Sequence, residues 1–367
     1  MNSKTPGYTT LVFMLIIALS CHLGMDTNAR ANSIGRRSAK RLNHKSTIGK
    51  RRRHYCGTDK SAPPKEPAAQ KPPAFDPLPS QGPRTQDEFW RISTRDLNNL
   101  VDGKPVFAAS RYTARHEWES SNIDSLYEAS GGAMTIMYVH GYGFDPEKSK
   151  RIGWDFYRAI ARKTPRSHKL RFIVWSWPST SQAFRYRADM RDKAKRTDFE
   201  ACCLAWVLAR MNTNCKVSVI GSAMGCRAVS GALHLHSGAK LGGWKWPNDP
   251  PGKRCTVRGV LISAALHNDW LYPNEKHDHA LAGVERLLLI NNSLDPQLSR
   301  YALLYSKSNP VALGRSGLEK QDELEDLANR LIQHDAANEI GEHHGVEHYI
   351  ASPKIMDRLR KFTLWEQ

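Results

Sequence analysis

The chain has 367 residues, 40% of them apolar, and a formal net charge of +18. Its seven cysteines are an odd number, and their spacing defines neither a disulfide framework nor a metal site. With no dinucleotide fingerprint, phosphate-binding loop or folded nucleic-acid module in the sequence, neither cofactor-dependent chemistry nor specific nucleic-acid readout is expected.

Residues 1–21 read as a signal peptide or an N-terminal anchor. An apolar run at 10–19 follows Lys4, and Ala18-Leu19-Ser20 supplies small residues at cleavage-like spacing. The run is shorter than a bilayer span requires. Cys21 directly after Ser20 also permits a lipidated anchor, although Ala18 stands where leucine is usual. The expected location is outside the cytoplasm, periplasmic or cell-envelope or secreted, with an uncleaved or Cys21-lipidated membrane anchor as the alternative. Residues 22–61 form a basic tail. Between 30 and 60 there are eleven Lys or Arg and one acid, which gives +10 of the total +18. Such a segment reads as solvated and disordered, and charge alone lets it bind anionic surfaces. Residues 62–84, with eight prolines between 63 and 83, read as a Pro-rich, semi-rigid linker.

Residues 85–367 are long enough for one core and are expected to form one α/β domain. An apolar strand at 135–139 runs into His140-Gly141-Tyr142-Gly143, a turn whose glycines let the main chain approach a ligand. A helix is predicted at 148–163 and a strand near Phe172. The aromatic and basic stretch 175–196 reads as a small cap segment or cleft wall, with Trp177, Phe184 and Tyr186 either lining a pocket or packing on the sheet. A helix at 199–211 follows. The β-branched strand 216–220 then meets Gly221-Ser222-Ala223-Met224-Gly225, and a helix follows at 226–235. A Gly-x-Ser-x-Gly turn between strand and helix holds a serine nucleophile at its strained tip. Here the central position is alanine. Ser222 leaves the turn in another direction, and Cys226 at the helix start reads either as an activated thiol or as a small buried hydrophobe.

A strand near Val260, a helix and a strand at 286–290 come next. Asp295 lies in the polar turn after this last strand, with Asp269 as an earlier competitor. A final helix at 353–362 is capped by Ser352, starts with Pro353 and sets Ile355, Leu359 and Phe362 on one face. Three histidines precede it: His343, His344 and His348. Such alternation of strands and helices implies a mostly parallel, twisted sheet with helices on both faces.

These segments, with Phe89-Trp90-Arg91-Ile92-Ser93-Thr94-Arg95, Val174-Trp175-Ser176-Trp177-Pro178, Arg191-Asp192-Lys193-Ala194-Lys195-Arg196-Thr197-Asp198, Asn291-Asn292-Ser293-Leu294-Asp295-Pro296 and Gly341-Glu342-His343-His344, resemble an exported bacterial branch of the α/β-hydrolase superfamily. That branch is esterase- or lipase-like and mostly of unknown substrate. The resemblance runs from about Asp87 to the C-terminus and implies the α/β-hydrolase fold. It places Ala223 at the nucleophile position, where relatives carry serine, Asp295 as the acid and His344 as the base. Backbone N–H groups near Tyr142 and at Met224 would form the oxyanion hole, with His140, Gly141, Gly143, Gly221 and Gly225 supporting the two turns.

Three functions are compatible with this pattern. The first is a pseudo-hydrolase that binds an ester-like or acyl small molecule, or a partner, without turnover. The second is an active carboxylic ester or acyl hydrolase in which His344 activates water. The third is an adaptor whose basic tail binds anionic surfaces. Oligomeric state is not encoded in any feature of the sequence.

Overall fold

The computed structural model describes residues 82–366, apart from 102, 114, 116, 128–131, 246–253 and 306–308. The signal or anchor segment, Cys21, the basic tail, Cys56 and nearly all of the Pro-rich linker lie outside the described residues.

A nine-stranded sheet organises the domain. Its edge is an antiparallel meander of β1 (Glu88–Ser93), β2 (Ala108–Tyr112) and β3 (Trp118–Ser121). The parallel part consists of β4 (Met134–Val139), β5 (Leu170–Ser176), β6 (Lys216–Ser222), β7 (Thr256–Ile262), β8 (Arg286–Asn291) and β9 (Leu331–Asp335). Strand order is β9-β8-β7-β6-β4-β5-β1-β2-β3, and β1 pairs with β5 in parallel. The central strands are continuously apolar because both of their faces are covered. Successive side chains alternate between the two faces: Met137 and Val139 join one core with Val217, Val219 and Ile173, whereas Ile136 and Tyr138 join the other with Phe172, Val174 and Ile220.

Helices α2 (Tyr186–Arg210) and α3 (Gly225–His236) cover the first face. Helix α1 (Pro146–Ala161) and the C-terminal α4 (Val346–Ala351) and α5 (Pro353–Thr363) cover the second. This is the α/β-hydrolase fold expected from the sequence. Local signals set the helix starts. Asp145 caps α1 by accepting from the Lys148 N–H at 2.7 Å, with Pro146 next. Ser352 caps α5, whose Ile355, Leu359 and Phe362 are buried as one stripe. Among the described residues no helix is long and apolar enough to cross a membrane.

Three sequence expectations need correction. Helix α2 begins at Tyr186, not near 199, so residues 186–196 of the predicted 175–196 cap segment are its first half. Seven of those eleven residues are charged, and the rest make no continuous apolar stripe to read. Between β7 and β8 the expected helix is replaced by a succession of turns through residues 267–283. Pro273, Asn274 at φ +67° and Gly283 interrupt any helical run there. Strand β9 was not anticipated at all, because Leu331-Ile332-Gln333-His334-Asp335 is a half-buried edge strand with little apolar signal.

Candidate functional site

Chain connection reverses direction at β4. The chain passes from β4 to β5 on one side, then returns to place β6 on the other. Crevices outside the carboxyl ends of parallel strands at such a switch point are where ligands bind in open α/β sheets. The His140-Gly141-Tyr142-Gly143 turn leaves β4 there, and the Ala223 turn leaves β6 beside it.

Ala223 sits at φ +46° between the end of β6 and the start of α3, so the strained turn carries a methyl group at its tip. Its N–H donates to Ile262 O at 2.9 Å and its carbonyl accepts from Ala265 N at 3.1 Å, which ties the tip to the end of β7. The flanking glycines are sterically required. A Cβ on Gly221 would lie 2.8 Å from Cys226 Cα, and one on Gly225 would enter the carbonyl oxygens of Val139 and His140. A Cβ on Gly141 would fall 3.1 Å from that of Ala223, so the β4 turn presses directly on the elbow. Neither the Tyr142 N–H nor the Met224 N–H has an acceptor among the described residues.

His140 is wholly buried and stacks on Phe144 at 4.9 Å and Trp177 at 5.9 Å between ring centroids. Burial pushes its imidazolium down to about 3, so the ring is neutral. Its Nδ1 lies 2.9 Å from Gly141 O, and its Nε2 accepts the Trp177 N–H. A neutral ring that donates to a carbonyl and accepts from an amide fixes the turn without taking part in proton transfer. Gly143, at φ +82°, donates its N–H to Ser179 O at 2.7 Å. Tyr142 is braced from α2, its hydroxyl donating to Asp189 Oδ2 at 2.7 Å.

Asp295 follows β8 and is fully buried. Its Oδ1 accepts the Gln297 and Leu298 N–H groups, both at 2.9 Å, and its Oδ2 lies 2.7 Å from His344 Nδ1. Burial raises the Asp295 carboxyl, but the hydrogen bond and charge of His344 and the Leu298 N–H outweigh it, and the carboxyl is held below its usual range. His344 comes from the loop after β9. Asn292 holds that loop by donating from Nδ2 to Gly341 O at 2.8 Å and His343 O at 2.9 Å. Since Nδ1 faces Asp295, Nε2 is the other ring atom available, and it has no partner among the described residues.

Competing residues fall elsewhere. The Asp269 side chain is about half exposed, beside His267. His348 stacks on His343 at 3.9 Å. The Ser222 hydroxyl bonds Tyr138 at 3.0 Å. Cys226 is buried, its thiol directed at Ile262 O and pushed up by burial, which makes it a packing residue. Trp177 packs against the β4 turn, donating from Nε1 to His140 O at 2.7 Å, while Phe184 is exposed.

Sequence reasoning missed Ser263. It lies at the end of β7 at φ +49°, and its Oγ donates to Asp295 Oδ2 at 2.7 Å while lying 3.1 Å from His344 Nδ1. No motif marks it; its only signal is its place after the strand next to the elbow strand. Also missed was a group of distant residues, His234 on α3 with Asp278 and His279. Their ligand atoms lie within 4.8 Å of one another, though His234 Nε2 is already engaged with Lys240 O at 2.9 Å. No disulfide links the cysteines among the described residues, and Cys215 and Cys255 precede paired strands.

Ala223 and His344 both line a cavity of about 660 Å³. The arrangement holds an acid, an oriented imidazole and two free N–H donors around a methyl group.

No family model and no curated protein matches the sequence. Several solved structures are similar in fold. Acyl-protein thioesterase 2 from Zea mays aligns over 64% of this chain and 94% of its own, at 16% identity and a TM-score of 0.37. An inhibited esterase B from Lactobacillus rhamnosis aligns over 78% and 89%, at 12% identity and 0.39. Esterase Pf2001 from Pyrococcus furiosus aligns over 71% and 88%, at 12% identity and 0.34. The fold assignment rests on strand order and on the two turns at the switch point.

Proposed function

We propose that this protein is a pseudo-hydrolase of esterase ancestry, which binds an ester-like or acyl ligand in the cleft without covalent turnover. Ala223 carries this reading: a methyl group occupies the tip of a strained elbow whose surroundings are those of a working hydrolase. In this reading Asp295 is the acid, His344 the base, and the Tyr142 and Met224 N–H groups the oxyanion hole. Asp295 fixes the tautomer of His344 and stabilises its charged form, and the hole binds a carbonyl oxygen. What is missing is the atom that attacks.

Ester hydrolysis by the full chain and by Ala223→Ser tests this. The wild type is expected to be inert towards short- and medium-chain esters. Restoring the hydroxyl should raise turnover by roughly a thousandfold or more, since loss of a triad serine costs at least that much in hydrolases of this type. The variant should also react with a serine-directed phosphonate. Wild-type turnover abolished by His344→Ala would instead establish an active hydrolase using histidine-activated water.

Export is part of the same proposal. It is supported by the apolar run behind Lys4 and by the small residues at 18–20.

A further inference from the structure

We infer that the ligand of this cleft is a carboxylate bearing an apolar tail, the chemistry of a free medium-chain fatty acid, and not an uncharged ester. The inference rests on the pseudo-hydrolase reading and names what that site would hold. With Nδ1 2.7 Å from Asp295 Oδ2, the Nε2 of His344 is the ring atom left to the cleft, and in the tautomer that donates Nδ1–H to Asp295 it carries a lone pair. A serine hydroxyl at position 223 would donate to that lone pair; the Ala223 methyl leaves it unanswered. An ester oxygen placed there brings a second acceptor against the first. A carboxylate instead draws a proton onto Nε2, and the imidazolium then lies between two carboxylates, Asp295 and the ligand, donating to each.

The ligand's second oxygen has its own donors in the free N–H groups of Tyr142 and Met224. Gly141 brings the two together: its Cβ position is 3.1 Å from Ala223 Cβ and 3.9 Å from Met224 N. Charge around the cavity agrees. Lys148, Arg187 and Arg300 line it against a single acid, Glu347, and a cationic cleft concentrates anions. Met190, Leu298, Leu304 and Val346 supply an apolar wall for a tail. The volume of about 660 Å³ is within the range of pockets that enclose small organic ligands.

Calorimetry on the full chain with decanoate, decanol and methyl decanoate tests the inference, with product analysis after each titration. Decanoate should bind at least tenfold more tightly than either uncharged probe. His344→Gln, whose amide cannot become a cation, should lose that preference. Arg187→Glu and Arg300→Glu, both exposed and remote from packing, should each weaken decanoate severalfold and leave decanol unchanged. Equal affinity for decanol and decanoate overturns the inference, as does an undiminished carboxylate preference in His344→Gln or no binding of decanoate. Release of decanoate from methyl decanoate by the wild type is a separate result, which overturns the pseudo-hydrolase reading itself.

Discussion

Ala223 holds a backbone conformation that costs an L-residue roughly 1–2 kcal/mol, at φ +46°, with no nucleophile to present. The strain persists because the surroundings over-determine it. Gly225 admits the β4 carbonyls, Gly221 admits the start of α3, and Ile262 and Ala265 hold the tip from β7. Gly225→Ala therefore sets a new methyl against two backbone oxygens that cannot rotate away. We expect a loss of about 3 kcal/mol, at the upper end for overpacking, measured as a fall in the urea midpoint. Gly143→Ala is the comparison: a Cβ there meets open space and pays only for φ +82°, so its loss should be smaller. Equal effects would mean that the β4 turn gives way around the new methyl, since Gly225 lies outside the left-handed region and carries no such strain of its own.

At the level of elements, the β1–β5 pairing that joins the antiparallel meander to the parallel sheet is reinforced by a buried carboxylate. Glu88 on β1 lies opposite Arg171 on β5 and accepts from its Nε at 2.6 Å, from Lys169 Nζ at 2.8 Å and from Trp90 Nε1 at 3.1 Å. Burial raises the Glu88 carboxyl, but the bonds from Arg171 and Lys169 and the charge of Arg171 overcome it and hold it at about 2. A depressed folded-state value means that stability is fully present above the unfolded value of about 4.3 and is lost as pH falls through the folded value. Glu88→Gln should thus cost about 3 kcal/mol near neutrality, where it leaves Arg171 buried without its charge partner. The gap between wild type and variant should close between about pH 4.5 and pH 2, read from urea midpoints across that range. A gap that is constant with pH would assign the loss to packing. Elements with strong local signals were legible in the sequence: the apolar strands, the capped α1 and α5, and both glycine turns. Asp295 and His344 were expected from the resemblance and its chain order, and the structure brings the two side chains together. The first half of α2, β9 and Ser263 were not legible, since their structure comes from neighbours and not from their own pattern. Tyr186 to Arg196 becomes helical as the extension of an apolar helix, and Ser263 meets Asp295 and His344 only once three strands lie side by side.

For the whole molecule, charge is distributed unequally along the chain, and this makes a prediction about where it goes. Residues 30–60 contribute +10 of the net +18, far more than solubility asks of a domain this size. A basic residue near an anionic lipid surface contributes up to about 1 kcal/mol, and salt screens the attraction over about 8 Å at physiological ionic strength. We propose that this segment holds the protein at anionic surfaces. The full chain should sediment with vesicles containing phosphatidylglycerol, release as salt is raised, and ignore purely zwitterionic vesicles. Deleting residues 30–60 should abolish sedimentation while leaving decanoate affinity unchanged, because the cations lining the cavity, Lys148, Arg187 and Arg300, lie outside the deleted stretch. If the deletion still sediments, the domain's own basic rim or the apolar run at 10–19 is the attachment. Salt then separates the two, since apolar insertion resists it and a charged rim does not.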